Sequence, residues 1–179
     1  MSGGKNKQKT RSVRRTTLIY CEGAHDQTFV RHLVDVYAAA GRVNGRVNVK
    51  RGRGGSPDSL IIELTRVSGS FDRRLLKADK DRARAEIEKA EYLSNKEGIP
   101  IIWSKPCIEA LLLTILDGKD YSGYQSKTCK QHFEARYIAA DKRTDSRAYE
   151  KVFTVDVLEE ARKRVPELDE LIQFITGQN

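Results

Sequence analysis

The sequence of 179 residues has no long apolar run, no paired-cysteine motif and no apolar segment near its start. No stretch approaches the roughly 18 apolar residues that a membrane-spanning helix needs. Without an apolar h-region, the N-terminus argues against secretion. The three cysteines, Cys21, Cys107 and Cys129, form no CxxC pair and no zinc-binding spacing. We interpret them as reduced thiols, and we expect a cytoplasmic protein.

The net charge of +8 is concentrated in the first residues of the chain. Residues 1–15 hold six of the 33 basic residues and no acid, which leaves 27 bases against 25 acids elsewhere. We predict a basic flexible arm over residues 1–15. Its Arg14 and Arg15 are candidate phosphate contacts, because each neutralised phosphate releases condensed counterions. The alternative is a disordered tail that only improves solubility.

The pattern of apolar residues predicts strands that alternate with helices. Short β-branched runs predict strands at residues 16–21, 47–50, 73–78 and 99–104. A helical pattern follows each strand, and Pro106 is predicted to open the fourth helix. This alternation indicates an α/β fold with a mainly parallel sheet covered by helices on both faces. We predict a core over residues 16–116 and a helical C-terminal extension over 117–179. The helices predicted within the extension cover residues 125–140, 154–163 and 166–176.

Three acids lie at the predicted carboxyl ends of strands, where ligands collect in open parallel sheets. Glu22 follows the first strand, and Asp79 and Asp81 follow the third. Residues two apart in an extended segment point the same way, so the two aspartates form a paired set of oxygen ligands. Such a set is what Mg²⁺ or Mn²⁺ requires. The alternative is that Asp79 or Asp81 caps the helix predicted to begin near Arg82.

Four sequence blocks in this order resemble the Toprim domain, the α/β module of topoisomerases, bacterial primases and OLD-family nucleases. They are a Cys-Glu-Gly turn at 21–23, a glycine-rich stretch at 52–55, Asp-Lys-Asp at 79–81 and Ser-Lys-Pro-Cys-Ile-Glu at 104–109. The first, second and fourth are most similar to the small RloB-like (AbiLii-like) branch. The resemblance covers most of residues 16–116.

The resemblance implies roles for four acids. Glu22 would be a metal ligand or a general acid/base, Asp79 and Asp81 would bind metal, and Glu109 would be a further catalytic acid. Glu109 has an alternative role, because an acid in the first turn of a helix also complements the helix dipole. The sequence departs from the family at Lys77, in a strand that is usually apolar. That strand is therefore expected to be partly exposed or ion-paired.

Basic residues near the same edge are candidates for phosphate binding. Arg51 precedes the glycine-rich stretch and Arg53 lies within it. Lys105 replaces the asparagine usual in the family and could contact phosphate or have no specific role. Glycines allow close backbone approach to an anion, but the loop lacks the Gly-Lys-Ser/Thr ending of a P-loop. The alternative for the loop is a plain flexible connection. His25 could supply a base or a further ligand, or could be an exposed first-turn histidine.

The resemblance implies a nuclease dependent on Mg²⁺ or Mn²⁺ that acts on DNA or RNA in prokaryotic phage defence (abortive infection). It also implies an ATPase partner of the SMC/AAA-like kind. Two alternatives remain open. One is a non-catalytic subunit that binds nucleic acid or the ATPase, and the other is a Toprim enzyme with a different substrate.

Overall fold

The centre of the fold is a sheet of four parallel strands. The computed structural model describes residues 15–178. The strands are β1 (Thr16–Cys21), β2 (Arg46–Arg51), β3 (Arg73–Asp79) and β4 (Ile101–Ser104). Their order is β2-β1-β3-β4, so β1 and β3 are central and β2 and β4 form the edges. The predicted α/β class with a parallel sheet is confirmed. Most of the predicted basic arm lies outside the described residues, and Arg15 is its one described member.

Eight α-helices connect and surround the strands in the described part of the chain. They are α1 (Ala24–Ala39), α2 (Pro57–Arg66), α3 (Arg84–Glu97), α4 (Ile108–Asp117), α5 (Ser126–Arg136), α6 (Ser146–Val152), α7 (Val155–Ala161) and α8 (Pro166–Thr176). The helix predicted over 125–140 ends early, and a short 3₁₀ turn, Ala140–Lys142, follows it. The helix α6 was not predicted, because its seven residues are mostly polar and show no apolar period.

The start of the fourth helix differs from the prediction. Pro106 does not open α4, which begins two residues later. The backbone at Cys107 is extended, and the carbonyl of Pro106 accepts a hydrogen bond of 3.0 Å from the N–H of Lys80. Pro106 therefore continues the edge of the sheet, and the helix begins only after Cys107. By contrast, Ser56 and Pro57 occupy the N-cap and first helical position of α2.

Alternate residues of the strands face two separate hydrophobic cores. Leu18 and Tyr20 of β1 pack with α2 and α3, whereas Ile19 and Cys21 face α1 and α4. The core that contains Ile19 and Cys21 also contains buried residues of α5 to α8, such as Phe133. Helices therefore cover both faces, and the C-terminal helices complete one of them. No helix within residues 15–178 is long and apolar enough to cross a membrane.

The junction between α4 and α5 is held by the carboxylate of Asp117. Tyr121, Tyr137 and Arg136 all donate hydrogen bonds to this side chain, which is 15% exposed. Partial burial opposes ionisation, but these three donors hold the pKa of Asp117 below its usual value. The ionised form is therefore stabilised by the fold.

Replacing Asp117 with asparagine is expected to lower the free energy of unfolding by roughly 1–3 kcal/mol at neutral pH, because hydrogen bonds to a charged group are lost. A carboxyl with a lowered folded pKa stabilises the fold above its unfolded pKa of about 4, and this contribution disappears as pH falls through the folded pKa. The difference between wild type and variant should therefore shrink in acid. Urea unfolding at pH 7 and below pH 4 measures both values, and a difference that does not depend on pH would contradict this account.

Candidate active site at the carboxyl edge of the sheet

The sheet itself brings Glu22 and Asp79 together. Glu22 directly follows β1, and its N–H donates to the carbonyl of Lys77 in the neighbouring β3 at 2.9 Å. Its Oε2 accepts a hydrogen bond of 3.0 Å from the N–H of Asp79, the last residue of β3. Its Oε1 accepts from Arg82, which also forms an ion pair with it. The carboxylate of Glu22 therefore contacts the backbone of Asp79, the residue that supplies the second predicted metal ligand.

The carboxyl group of Asp79 is strongly perturbed. Burial raises its pKa to about 8, and the negative charges of Asp26, Glu22 and Asp81 contribute in the same direction. Its Oδ1 is buried and has no hydrogen-bond partner among the described residues. A buried carboxylate oxygen without a donor is energetically costly unless a cation or proton meets it. A positive partner would therefore stabilise the ionised form of Asp79.

A buried ion pair lies beside these acids. The side chain of Lys77 is fully buried, and its Nζ lies 3.5 Å from Asp26 Oδ1 and donates to Ser104 Oγ. Burial raises the pKa of Asp26, although the charge of Lys77 opposes this. The strand at Lys77 was expected to be partly exposed or ion-paired. Lys77 is ion-paired and is not partly exposed. Sequence reasoning missed Asp26 and Ser104, and only their positions after β1 and at the end of β4 could have pointed to them.

Asp81 differs from Asp79 in its surroundings. It is exposed, and its Oδ2 accepts a hydrogen bond of 2.7 Å from the hydroxyl of Ser126 at the start of α5. The helix α3 begins at Arg84, with Ala83 at the N-cap and no side-chain cap. The alternative in which Asp79 or Asp81 caps this helix is therefore wrong, because the chain continues two residues further before the helix starts. Both aspartates remain available at the rim.

A second buried carboxylate, that of Glu109, lies beside His25. The Glu109 side chain is only 2% exposed, and its Oε1 lies 3.2 Å from His25 Nδ1 and 3.7 Å from an Arg143 nitrogen. Burial alone would raise the pKa of Glu109, but the hydrogen bond and charge of His25 bring it below its usual value. Glu109 also lies in the first turn of α4, so the dipole alternative and the contact with His25 both hold. His25 is therefore not an exposed first-turn histidine.

The pairing leaves the second ring nitrogen of His25 uncommitted. His25 Nε2 is buried and has no hydrogen-bond partner among residues 15–178. If Nδ1 carries the proton and donates to Glu109, Nε2 is an acceptor with a free lone pair. This is the arrangement in which a carboxylate fixes the tautomer of a histidine base.

Within residues 15–178 the acids do not form a complete metal site of protein ligands, and one oxygen of Asp79 lacks a partner. In this part of the chain, no three His, Cys, Asp or Glu side chains form a group that could hold a metal ion. Arg82 and Ser126 engage oxygens of Glu22 and Asp81. Mg²⁺, however, is usually bound by one or two carboxylates, with water and substrate phosphate as further ligands. The unpartnered oxygen of Asp79 fits such an ion.

The predicted phosphate contacts are spread over different parts of the molecule. Arg51 and Arg53 are exposed and line one groove beside β2, near the carboxyl edge. Lys105 is exposed beyond β4 and lines a small pocket that Asp120 shares. Arg15 precedes β1 at the opposite edge of the sheet, so it is not brought near the acids. Arg14 lies outside the described residues.

The glycine-rich loop is packed at its first residue and open at its others. A Cβ at Gly52 would lie 2.4 Å from Leu60 Cδ2 and 3.1 Å from Tyr20 Cε1. The N–H of Gly52 donates to the carbonyl of Cys21 at 2.9 Å and is not available to an anion. Gly54 and Gly55 have φ values of 91° and 118°, a region that favours glycine. Gly52 therefore serves close packing beside the groove.

Comparison with known proteins gives one structural similarity. No protein-family model and no curated protein matches the sequence. Among solved structures, the chain is similar to the C-terminal region of the Burkholderia pseudomallei OLD protein, with a TM-score of 0.39 and 12% sequence identity. The similarity covers 90% of this chain and 86% of that one.

Proposed function

We propose that this protein is a divalent-metal-dependent, nuclease-like enzyme of the Toprim type that acts on nucleic-acid phosphodiesters. The observation that carries the proposal is the contact between Glu22 and Asp79 at the carboxyl edge, beside a buried Asp79 oxygen without a partner. A divalent cation would supply the positive charge that this oxygen lacks. Ions bound by carboxylates in this way commonly catalyse phosphodiester reactions.

The roles of the acids follow from their surroundings. Asp79 would hold Mg²⁺ or Mn²⁺, and Glu22 and Asp81 would complete the set of protein ligands. When bound, such an ion lowers the pKa of a bound water and neutralises charge on a phosphoryl oxygen. Arg82 already holds one oxygen of Glu22 and could exchange that carboxylate for a substrate phosphate, because its guanidinium suits both anions.

Glu109 and His25 would handle protons as a pair. Glu109 fixes the ring of His25 through Nδ1, and the uncommitted Nε2 can accept a proton from the attacking water or return it to the leaving oxygen. In this assignment Glu109 acts through His25 and is a positioning residue. A nitrogen of Arg143, 3.7 Å from Glu109 Oε1, places a positive charge beside this carboxylate.

The biological setting is proposed from the sequence blocks. The Cys-Glu-Gly turn and the Ser-Lys-Pro-Cys-Ile-Glu block support membership of the RloB-like branch. With that membership come a role in prokaryotic phage defence and an ATPase partner of the SMC/AAA-like kind. DNA and RNA both remain candidate substrates.

The deciding experiment incubates the purified chain with plasmid, single-stranded DNA and tRNA in Mg²⁺, Mn²⁺ or EDTA. We expect cleavage that needs the metal and that Asp81→Asn lowers by about 10²-fold or more, because a lost ligand to a catalytic ion costs several kcal/mol. Asp81 is exposed, so this change should leave the fold intact. Asp141→Asn, which makes the same chemical change on an exposed surface, is the matched control and should keep full activity.

Two observations favour a second candidate function, a subunit without catalytic activity of its own. Arg82 already neutralises Glu22, and within residues 15–178 no three metal-binding side chains converge. In that case the isolated chain would bind nucleic acid or the ATPase. Absence of cleavage on all three substrates with both metals would contradict the enzyme and favour this candidate. Cleavage that survives Asp81→Asn would contradict the proposed metal ligands.

A further inference from the structure

A groove of about 490 Å³ lies beside the edge strand β2, on the face of the sheet that α2 covers. Four basic side chains line it, Lys50, Arg51, Arg53 and Arg66, against one acid, Glu63. All four bases are exposed. None of them lies within ion-pair distance of a carboxylate of residues 15–178. The groove therefore presents positive charge that the described protein does not neutralise.

The single acid of the groove is already engaged. Glu63 accepts a hydrogen bond of 2.9 Å from the hydroxyl of Tyr20 and one of 3.3 Å from the N–H of Arg53. Both donors are neutral, so they hold the carboxylate in the floor of the groove without using any of the four cationic side chains. The contact with the Arg53 backbone also fixes the loop after β2. The positive charges of the arginines therefore remain available to a ligand in the groove.

The groove lies next to the strand end that precedes Glu22, although none of the acids of the candidate active site lines it. Arg51 is the last residue of β2 and pairs in register with Cys21, the residue before Glu22. Arg66 lies at the far end of α2, a helix of ten residues and therefore about 15 Å long. A ligand in the groove thus lies between the end of α2 and the end of β2, one strand away from Glu22.

We infer that this groove binds the phosphate backbone of single-stranded nucleic acid and leads the strand toward Glu22 and Asp79. A volume of 490 Å³ lies in the range of small-ligand sites, about 300–1,000 Å³, and suits a few nucleotides of one strand better than a double helix. Tyr20 is only 6% exposed, so its ring offers no stacking surface to a base. Contacts made by charge alone position a strand without reading its sequence.

The inference rests on the proposed function for its meaning, but binding can be measured without turnover. The full-length chain is titrated in EDTA with fluorescent oligo(dT), oligo(U) and a mixed-sequence DNA duplex, and anisotropy is followed against salt. Each phosphate neutralised on a single strand contributes about −0.7 to the slope of log K against log salt. The triple variant Arg51→Gln, Arg53→Gln, Arg66→Gln should therefore make the slope about 2 units shallower. Between 50 and 200 mM salt, wild type should lose roughly twentyfold more affinity than the triple variant.

Two control variants separate charge at the groove from general effects. The matching lysine variant, with Arg51, Arg53 and Arg66 all changed to Lys, should keep the wild-type slope and also shows that the sites tolerate substitution. Lys151→Gln removes an exposed charge from α6, on the other face of the sheet, and should leave the slope within the error of a single contact.

An unchanged slope in the triple glutamine variant would overturn the inference, as would a shallower slope in the lysine variant. Tighter binding of the duplex than of either single strand would overturn the choice of ligand. Binding through the groove combined with no cleavage in metal would refute the proposed catalysis and leave this site standing. Cleavage with an unchanged slope would do the reverse.

Discussion

An Asp79→Asn variant is expected to lose nucleic-acid cleavage and, in the absence of metal, to be more stable than the wild type. The wild-type carboxyl is buried, three acids raise its pKa, and one of its oxygens has no hydrogen-bond partner. Asparagine keeps the shape of the side chain and removes the charge. Because one pKa unit corresponds to about 1.4 kcal/mol, we expect a gain on the order of 1–3 kcal/mol in EDTA.

The same substitution removes a proposed ligand of the ion. Loss of cleavage should be at least as large as for Asp81→Asn, about 10²-fold or more, since Asp81 has a hydroxyl partner and Asp79 has an unpartnered oxygen. The stabilising effect of added metal should disappear too. A ligand that binds only the folded state adds RT ln(1 + [L]/Kd), or about 2.7 kcal/mol at a hundredfold excess over Kd.

Urea unfolding of wild type, Asp79→Asn and Asp141→Asn in EDTA and in Mn²⁺ measures these effects. The wild type and Asp141→Asn should gain stability from Mn²⁺, and Asp79→Asn should not. If Mn²⁺ stabilises all three proteins equally, Asp79 does not bind the ion. If Asp79→Asn is less stable than wild type in EDTA, the carboxyl contributes to the fold and is not a strained metal ligand. Functional sites often carry such a local cost in stability.

The positions of Glu22, Asp79 and Asp81 at one rim followed from sequence rules. Parallel strands end at the same edge of a sheet, so two acids placed after two strands had to share that edge once the strands paired. That β1 and β3 are direct neighbours, and that Glu22 therefore accepts from the backbone of Asp79, is a matter of strand order. A single sequence carries little information about strand order, because the strands have similar residue patterns.

The contacts across the helices could not be predicted. His25 and Glu109 are 84 positions apart and meet because α1 and α4 pack on the same face of the sheet. Lys77 could be read as an exception to an apolar strand, but its partner Asp26 lies in a helix of the same face. Such pairs depend on packing between elements, and the apolar period of each helix leaves their relative rotation undetermined.

The helix boundaries near the site were also predicted only in part from the sequence. The pattern placed the third helix near Arg82 and the fourth at Pro106, and both begin two residues later. In both cases backbone at the sheet edge competes with the first helical turn. Lys80 donates to the carbonyls of Ser104 and Pro106, and this pairing extends the edge beyond the strands. Tertiary hydrogen bonds of this kind outweigh local helix signals.

The buried pair of Lys77 and Asp26 should give the largest effect on stability. We expect Lys77→Met to lower the free energy of unfolding by about 3–5 kcal/mol, because it leaves the buried carboxylate of Asp26 without its cation. Asp26→Asn should also destabilise, since it leaves a fully buried ammonium beside Ser104 alone. The double variant should recover most of the loss, because replacing both partners of a buried pair is often nearly neutral.

A double-mutant cycle by urea unfolding measures the coupling between the two residues. The matched control is the exposed pair of Lys163 and Glu160, whose atoms lie 2.6 Å apart and whose side chains are both 69% exposed. Its coupling should be far smaller than that of Lys77 and Asp26 despite the shorter distance, since water and salt screen it. Equal couplings for the two pairs would contradict the account. A large coupling between Lys77 and Asp26 would mean that one buried cation already offsets part of the acidic charge at the carboxyl edge. The site would then need fewer further positive charges from metal and substrate-binding arginines.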